Sequence, residues 1–492
     1  MHDQQSRCAA HCRECQGLSR RRFVATASAS LVTASLLRDW FGSAGETLAG
    51  SIAPRGPAAT YTPVVRACFV RRQGDYGMRW PGSIYDGEAA RKKYIDQLRA
   101  AAKEHKIKLE LTPEPLYSAA EADAWLAAGA QAEPDGLLVV LLDRQAHAWP
   151  TAGKAIDTGI PTVIFSPVGT SFTTNTAGPS RKTGVFIAST DDFRQVVLGL
   201  RMLRAGARMK KTRCLVIRGN KTADGELADL GIKLRYVPAK TFLAEYQNTP
   251  VDGEVQAMAA DLIKHATKMI GATKEDVING IKSFVVAREL LEREQCDAIT
   301  MDCLGALGKT KVSLPCIAWS VMNDAGIPSA CEADLGAVAT HTIVQYLLER
   351  PGFQQDPVAE TAREAIIGAH CSCPTKLSGF TSAPEPYDIV HHHGVRDATR
   401  RPVWKVGQRI TCVDVLPRAG DTPTQMLISS GEVLENVSVP PAGGCVVSVM
   451  ARLDNVSDVL AYPGFHQVFC YGDFKRELTH FCRLFNIVPV VV

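Results

Sequence analysis

The sequence lacks three features that mark large functional classes. It has no basic stripe with interleaved aromatic residues, and the formal net charge of its 492 residues is only +4, so nucleic-acid binding has little support. No G-x-G-x-x-G motif follows the first predicted strand, so a dinucleotide site is not indicated. The apolar run at residues 24–37 is too short to span a bilayer comfortably.

The sequence does have enough apolar content for several buried cores. Hydrophobic residues make up 46% of the chain, and its length corresponds to about two to four domains. Predicted strands alternate with predicted helices from residue 63 onward, which is typical of parallel, doubly wound sheets. From residue 350, short strands separated by Gly, Pro and Asp predict a barrel-like domain. We therefore expect two Rossmann-like α/β domains, residues 63–180 and 181–349, followed by a β-rich domain, residues 350–492.

Residues 1–50 predict an export signal. The segment Ser19-Arg20-Arg21-Arg22-Phe23-Val24 matches the twin-arginine motif, the apolar run follows it, and small residues beyond the run offer cleavage sites. Residues 51–62 are rich in Pro, Gly and Ala and are interpreted as a linker. We expect a periplasmic protein without a stable membrane span once the signal is removed. A chance arginine cluster before a helix is the alternative.

Cysteine usage does not predict a disulfide framework. Cys8, Cys12 and Cys15 have a ligand-like spacing but no fourth ligand nearby, and they fall in the segment that would be removed. Other cysteines, such as Cys68 and Cys214, lie inside apolar runs, where a buried free thiol is the simplest interpretation.

The stretch from Cys296 to Tyr346 predicts where the chemistry lies. It contains, in order, a short apolar strand at residues 298–301, a loop, a helix around residues 315–323, the segment Ser329-Ala330-Cys331-Glu332-Ala333-Asp334, and an apolar helix at residues 335–348. Enzymes with α/β folds display their reactive groups at strand ends of this kind. Glu332 is therefore expected to face a cleft, whereas Asp334 is expected to cap the following helix.

Several motifs in this stretch resemble the L-fucose isomerase-like family, which is related in fold to L-arabinose isomerases. The family pattern consists of a strand with a Cys, a P-C pair, an L-N-D-x-G-I-like turn, and a C-E-x-D segment before a small-residue helix. Here these elements occur in order as Asp302-Cys303, Pro315-Cys316, Met322-Asn323-Asp324-Ala325-Gly326-Ile327 and Cys331-Glu332-Ala333-Asp334. The resemblance covers residues 282–492 with motifs, and over residues 64–242 it rests on layout.

The resemblance implies a metal site. In the family a Glu, an Asp downstream of it and a His near the C-terminus bind one divalent metal, and the matching positions here are Glu332, Asp356 and His466. Mainly oxygen ligands favour Mn²⁺, with Mg²⁺ as the alternative. The family equivalents of Glu332 and Asp356 also act as acid and base. Each of the three residues also has a structural alternative. Glu332 could be a charge at a helix N-terminus, Asp356 a turn residue before proline, and His466 a capping side chain.

Four further residues are candidates for substrate binding. Trp80 lies in a polar, Gly-rich loop and is a sugar-stacking candidate, and His370 resembles the family's H-C segment near the cleft. In the run His391-His392-His393 the side chains alternate if the segment is a strand, so His392 or His393 is expected to line the site. A surface turn for Trp80 and a solvated loop for the histidines are the structural alternatives.

The resemblance implies a metal-dependent enzyme that interconverts an aldose and a ketose through an enediol. Such a reaction needs a base, an acid and a cation that stabilises the developing oxyanion. Two alternatives stay open: an epimerase or lyase acting on an oxidised carbohydrate, which shares this chemistry, and an exported carbohydrate-binding protein without catalysis. The predicted export signal departs from the family, whose isomerases act in the cytoplasm. By resemblance we also expect a homo-oligomer, either a trimer or a hexamer.

Overall fold

The computed structural model describes residues 52–78, 84–392, 396–438 and 445–492. The predicted export signal, Trp80 and His393 lie outside these residues. None of the described helices combines the length and the apolarity that crossing a bilayer requires.

Residues 57–211 are built around a five-stranded parallel sheet. In chain order the elements are α1 (Pro57–Thr60), β1 (Val64–Val70), β2 (Tyr76–Gly77), β3 (Ile84–Tyr85), α2 (Gly87–Glu104), β4 (Lys108–Leu111), α3 (Ala119–Ala132), β5 (Gly136–Leu141), α4 (Ala148–Asp157), β6 (Thr162–Ser166), α5 (Thr173–Thr176), β7 (Val185–Ser189) and α6 (Arg194–Lys211). The sheet order is β4-β1-β5-β6-β7. Phe69 of β1 packs with residues of α2 and α6, and its neighbour Cys68 packs with residues of α3 and α4. Both faces of the sheet are therefore buried, which explains its nearly continuous apolar strands.

The sequence predicts a strand at residues 184–189 as the first element of the second domain, but this strand, β7, belongs to the first sheet. β7 pairs in parallel with β6, with Val185 opposite Thr162. The prediction was wrong on this strand because sheet order depends on pairings between distant segments, which a local sequence pattern does not show. The number of domains stays a prediction.

Residues 213–348 carry a second sheet. Its elements are β8 (Arg213–Ile217), β9 (Ala223–Leu227), β10 (Ile232–Val237), α7 (Ala239–Asn248), α8 (Gly253–His265), β11 (Met269–Ile270), α9 (Lys274–Arg293), β12 (Ala298–Met301), α10 (Cys303–Leu307), α11 (Cys316–Asp324), β13 (Ser329–Cys331) and α12 (Leu335–Leu348). The sheet order is β13-β12-β8-β10-β9, and only β9 runs antiparallel to its neighbour. The carboxyl ends of β8, β12 and β13 therefore share one edge, where ligands of open α/β sheets bind.

The remaining described residues include a closed barrel, as the sequence predicts. The elements are β14 (Phe353–Glu360), β15 (Ala365–His370), β16 (Tyr387–His392), β17 (Arg396–Pro402), β18 (Arg409–Leu416), β19 (Gln425–Asn436), β20 (Val447–Leu453), β21 (Gln467–Tyr471), α13 (Lys475–Leu484) and β22 (Val488–Val491). Six antiparallel strands in the order β18-β21-β14-β15-β20-β19 close through the pairing of β18 with β19. β16 and β17 stand outside the barrel and form a separate sheet, in which β16 pairs in parallel with β11 and antiparallel with β17.

Helix α12 joins the second sheet to the barrel. Every residue from Ala337 to Leu348 is buried, and the helix packs between α6 on one side and strands β18 and β21 on the other. The segment just before α12 therefore lies where the carboxyl edge of the second sheet meets one end of the barrel.

Candidate metal centre

Strand pairing in the barrel places three of the predicted site residues side by side. Asp356 of β14 lies opposite Ala369, so it neighbours His370 at the end of β15. On the other side, Gln355 lies opposite Gln467, so His466, just before β21, also neighbours Asp356. This antiparallel register fixes Asp356, His370 and His466 at one end of the barrel.

Glu332 reaches the same place from the second sheet. It follows β13, and both Glu332 and Ala333 have left-handed backbone conformations, with φ of 63° and 54°. Such conformations are strained in residues that carry a Cβ, and they concentrate at functional sites. Gln354, on the same face of β14 as Asp356, accepts the Cys331 amide through Oε1 at 2.9 Å. This hydrogen bond ties the end of β13 to the barrel beside the site.

The imidazole of His466 lies between the two carboxylates. Its Nε2 is 3.6 Å from Glu332 Oε2 and 3.3 Å from Asp356 Oδ1. His370 Nε2 is 3.9 Å from Glu332 Oε1. One ligand atom from each of Glu332, His370 and His466 lies within 4.8 Å of the other two. The structure thus brings Glu332, Asp356 and His466 together as the sequence predicts, and adds His370 to them.

Three buried polar atoms at this point accept or donate no hydrogen bond within the described part of the chain. They are Asp356 Oδ1, His370 Nε2 and His466 Nε2. Leaving buried polar atoms unsatisfied is unfavourable. A divalent cation held by the group of Glu332, His370 and His466 would satisfy both imidazole nitrogens, and Asp356 Oδ1 lies 3.3 Å from one of them. Carboxylate oxygens and imidazole nitrogens are ligands that Mn²⁺ accepts. The residues present therefore fit a divalent metal.

Asp334 holds His466 in the orientation that a metal ligand needs. Its Oδ1 accepts the Ala337 amide at 2.7 Å and caps α12, as predicted, while its Oδ2 accepts the Nδ1–H of His466 at 2.9 Å. Burial alone would raise the pKa of Asp334, but the hydrogen bonds from His466 and Ala337 lower it below its usual value. A carboxylate that fixes the proton on Nδ1 leaves Nε2 with a lone pair for a metal.

The surroundings of His370 favour positive charge. Burial alone would lower the pKa of His370, but the negative charges of Cys371, Asp356 and Glu332 and a hydrogen bond with Cys371 raise it to about 9. Its Nδ1 lies 3.5 Å from Cys371 Sγ, which leaves Nε2 directed towards Glu332. Without a cation, a proton on His370 offsets the negative charge of this group.

The other predicted site residues lie elsewhere. His392 is buried at the end of β16 in a group with Cys316 and Cys371, and its contact with a substrate stays a prediction. Trp80 and His393 lie outside the described residues. The sequence analysis missed His370 as a possible metal ligand. The only local signal is the His-Cys pair, and the burial of His370 beside the site depends on strand pairing.

Comparisons with known proteins do not extend this description. No protein-family model and no curated protein matches the chain. Similar solved structures include an ABC-transporter solute-binding protein from Burkholderia multivorans, with 12% identity over 49% of this chain and 80% of that chain and a TM-score of 0.18. A periplasmic solute-binding protein from Actinobacillus succinogenes 130z with bound D-allose has 13% identity over 55% and 77%, with a TM-score of 0.18. A glucose-galactose binding protein from Geobacillus stearothermophilus has 19% identity over 49% and 78%, with a TM-score of 0.18. Similarity at this level carries no argument about the chain.

Proposed function

We propose that the protein is a sugar isomerase that uses Mn²⁺ to interconvert an aldose and a ketose. The observation that carries the proposal is the group of ligand atoms on Glu332, His370 and His466, which lie within 4.8 Å of one another, with the unsatisfied Asp356 Oδ1 at 3.3 Å from His466 Nε2. A divalent cation held there supplies positive charge that stabilises an oxyanion developing on the substrate. A protein that only binds a sugar has no need for this combination of groups.

Glu332 and Asp356 are suited to move the protons of the reaction. Their side chains are 33% and 29% exposed, so both remain within reach of a bound molecule. Glu332 takes the proton from the carbon next to the carbonyl and returns it to the neighbouring carbon. Asp356 carries a proton between the two adjacent oxygens. Each carboxylate ends the cycle as it began, as general acid–base catalysis requires.

An exposed aromatic ring beside the centre supports a carbohydrate substrate. Phe465 is 60% exposed, and its ring centroid lies 4.4 Å from that of His466. An aromatic face next to carboxylates and imidazoles can cover the apolar face of a sugar while the polar groups meet its hydroxyls. Phe465 therefore joins Trp80 as a sugar-stacking candidate.

Deuterium exchange tests the proposed reaction. The full-length protein loaded with Mn²⁺ is incubated in heavy water with a panel of aldoses and ketoses, and products are followed by NMR. We expect either deuterium at the carbon next to the carbonyl or direct transfer of the proton, with interconversion of one aldose–ketose pair. Inverted stereochemistry or loss of water would identify the epimerase or lyase alternative. Binding of a sugar without exchange or turnover would leave only the carbohydrate-binding alternative.

We also propose export through the twin-arginine pathway and assembly into a trimer or hexamer. The motif at residues 19–24 supports export, and R20K/R21K should keep the chain in the cytoplasm whereas wild type is recovered from the periplasm. Assembly follows from the family resemblance. Light scattering should give three or six times the mass of one chain, and a monomer with full activity would refute the proposed assembly.

A further inference from the structure

A second group of side chains with potential metal-ligand atoms lies next to the candidate metal centre. Cys316, Cys371 and His392 each offer one ligand atom, and these atoms lie within 4.8 Å of one another. The three residues are buried, with 3%, 6% and 2% of their surface exposed, respectively. This group shares no residue with the predicted set of two carboxylates and His466.

Separate elements of the core hold these side chains in place. Cys316 is the first residue of α11, Cys371 directly follows β15, and His392 ends β16 at an irregularity in its pairing with β17. The hydroxyl of Thr399 on β17 donates to the Cys371 carbonyl at 2.6 Å. Anchoring from several rigid elements is what a preorganised metal site requires.

The chemistry of these ligands differs from that of the first centre. Two thiols and an imidazole in a water-excluded interior select zinc over manganese, and three protein ligands suffice for a zinc ion with one position left over. Around tetrahedral zinc, with Zn–S bonds of about 2.3 Å, two sulfurs lie about 3.8 Å apart. Ligand atoms within 4.8 Å therefore need only a small rearrangement. By contrast, Cys214 and Cys470 are buried thiols that each meet a backbone carbonyl.

We propose that Cys316, Cys371 and His392 bind a zinc ion, and that this ion helps to hold His370 in place. Zinc binds both cysteines as thiolates, so binding releases the proton of any that is still a thiol. The bound Cys371 sulfur, 3.5 Å from His370 Nδ1, accepts the Nδ1–H and leaves Nε2 directed to the first centre. Cys331, His370 and Cys371 form an overlapping group with ligand atoms within 4.8 Å, which shows how closely the two sites adjoin. Zinc binding stands by itself, whereas the positioning of His370 rests on the proposed function.

Cobalt(II) in place of zinc tests the thiolate site. A thiolate bound to cobalt gives an intense near-ultraviolet band that carboxylate and imidazole ligands do not give. Reduced, full-length wild type should develop this band with one equivalent of Co²⁺, and Zn²⁺ should abolish it. Cys316→Ser should lose the band, whereas Cys470→Ser, at a fully buried thiol in the barrel, should keep it. A wild type without the band, or a band that survives in C316S, would overturn the proposal.

A measurement on wild type alone covers the case in which C316S does not fold. X-ray absorption at the zinc edge, with one equivalent loaded, should show sulfur at about 2.3 Å, and a shell of nitrogen and oxygen alone would overturn the proposal. The role of His370 is read separately: Mn²⁺ affinity, followed by EPR, should be about 10–100-fold higher with zinc than without it. Equal affinities would overturn the positioning role but not the zinc site. No Mn²⁺ binding in either form would refute the proposed function and leave the zinc site standing.

Discussion

Replacing Asp334 with asparagine tests how His466 is held for a metal. Asp334 accepts the Ala337 amide on one oxygen and the Nδ1–H of His466 on the other, at 2.7 and 2.9 Å. Asparagine has only one oxygen. If that oxygen stays on Ala337, as the helix cap requires, the NH₂ group meets His466 Nδ1, which must then accept. The imidazole proton moves to Nε2, and the lone pair that faces Glu332 and Asp356 is lost.

The expected effect is large on metal binding and small on folding. Loss of the outer partner of a metal-binding histidine costs about 10–100-fold in metal affinity, which corresponds to about 1.4–2.7 kcal/mol. We expect D334N to bind Mn²⁺ more weakly by that factor in an EPR titration. The unfolding temperature of the metal-free protein should change little, since Asn caps helices about as well as Asp.

A matched control separates the effect of Asp334 on the His466 tautomer from its effect as a helix cap. Asp252 caps α8 in the same way, by accepting the Val255 amide at 3.0 Å, and D252N should bind Mn²⁺ like wild type. D334A should lose both functions of Asp334, so its stability should fall by about 1 kcal/mol as well. A D334N protein with wild-type affinity for Mn²⁺ would refute the reasoning.

Three further predictions concern catalysis, pH and stability. Glu332→Gln and Asp356→Asn should each slow deuterium exchange by about 10²–10⁴-fold at saturating metal, and wild-type rates would make these carboxylates structural. Because the pKa of His370 is raised from 6.5 to about 9, its protonation stabilises the metal-free protein below pH 6.5, and this contribution is lost as the pH rises through about 9. In wild type the unfolding temperature of the metal-free protein should therefore fall as the pH rises through about 9, and H370Q should show a smaller fall. The same pH profile in H370Q and wild type would contradict this role of His370. Arg400→Met removes the buried guanidinium that lies 2.7 Å from the Asp324 carboxylate, so the free energy of unfolding should fall by about 3–5 kcal/mol. The partly exposed ion pair of Arg401 with Asp388 should contribute about 1 kcal/mol or less to the free energy of unfolding. Equal losses of stability in R400M and R401M would contradict this.

Local patterns in the sequence predict the elements that frame the site. β12 and α12 occur at the predicted residues, because a short apolar run between polar residues and a helix that follows a capping aspartate are local signals. β9 is not predicted, since its exposed residues Ala-Asp-Gly-Glu-Leu have no apolar alternation, as is common in edge strands. The sequence also predicts two strands here, residues 425–429 and 431–439, but the single strand β19 (Gln425–Asn436) continues through Gly431. A Cβ there would meet the Arg452 carbonyl at 2.5 Å, so this glycine allows close approach between strands.

Predictions about the site depend on pairings that no local pattern shows. The order of Glu332, Asp356 and His466, together with the family resemblance, identifies three residues that do converge, although their role as ligands stays a prediction. The contribution of His370 arises from the register of β14 with β15. The same holds for the group of Cys316, Cys371 and His392, whose members lie at the ends of α11, β15 and β16 and meet only in the folded chain.

Anomalous diffraction from crystals of the full-length protein soaked in Mn²⁺ tests the central claim most directly. We predict a manganese peak contacted by Nε2 of His370 and His466 and by the carboxylates of Glu332 and Asp356, at coordination distances of about 2.0–2.6 Å. A map with no manganese at this point, whether or not the ion binds elsewhere, would contradict the account.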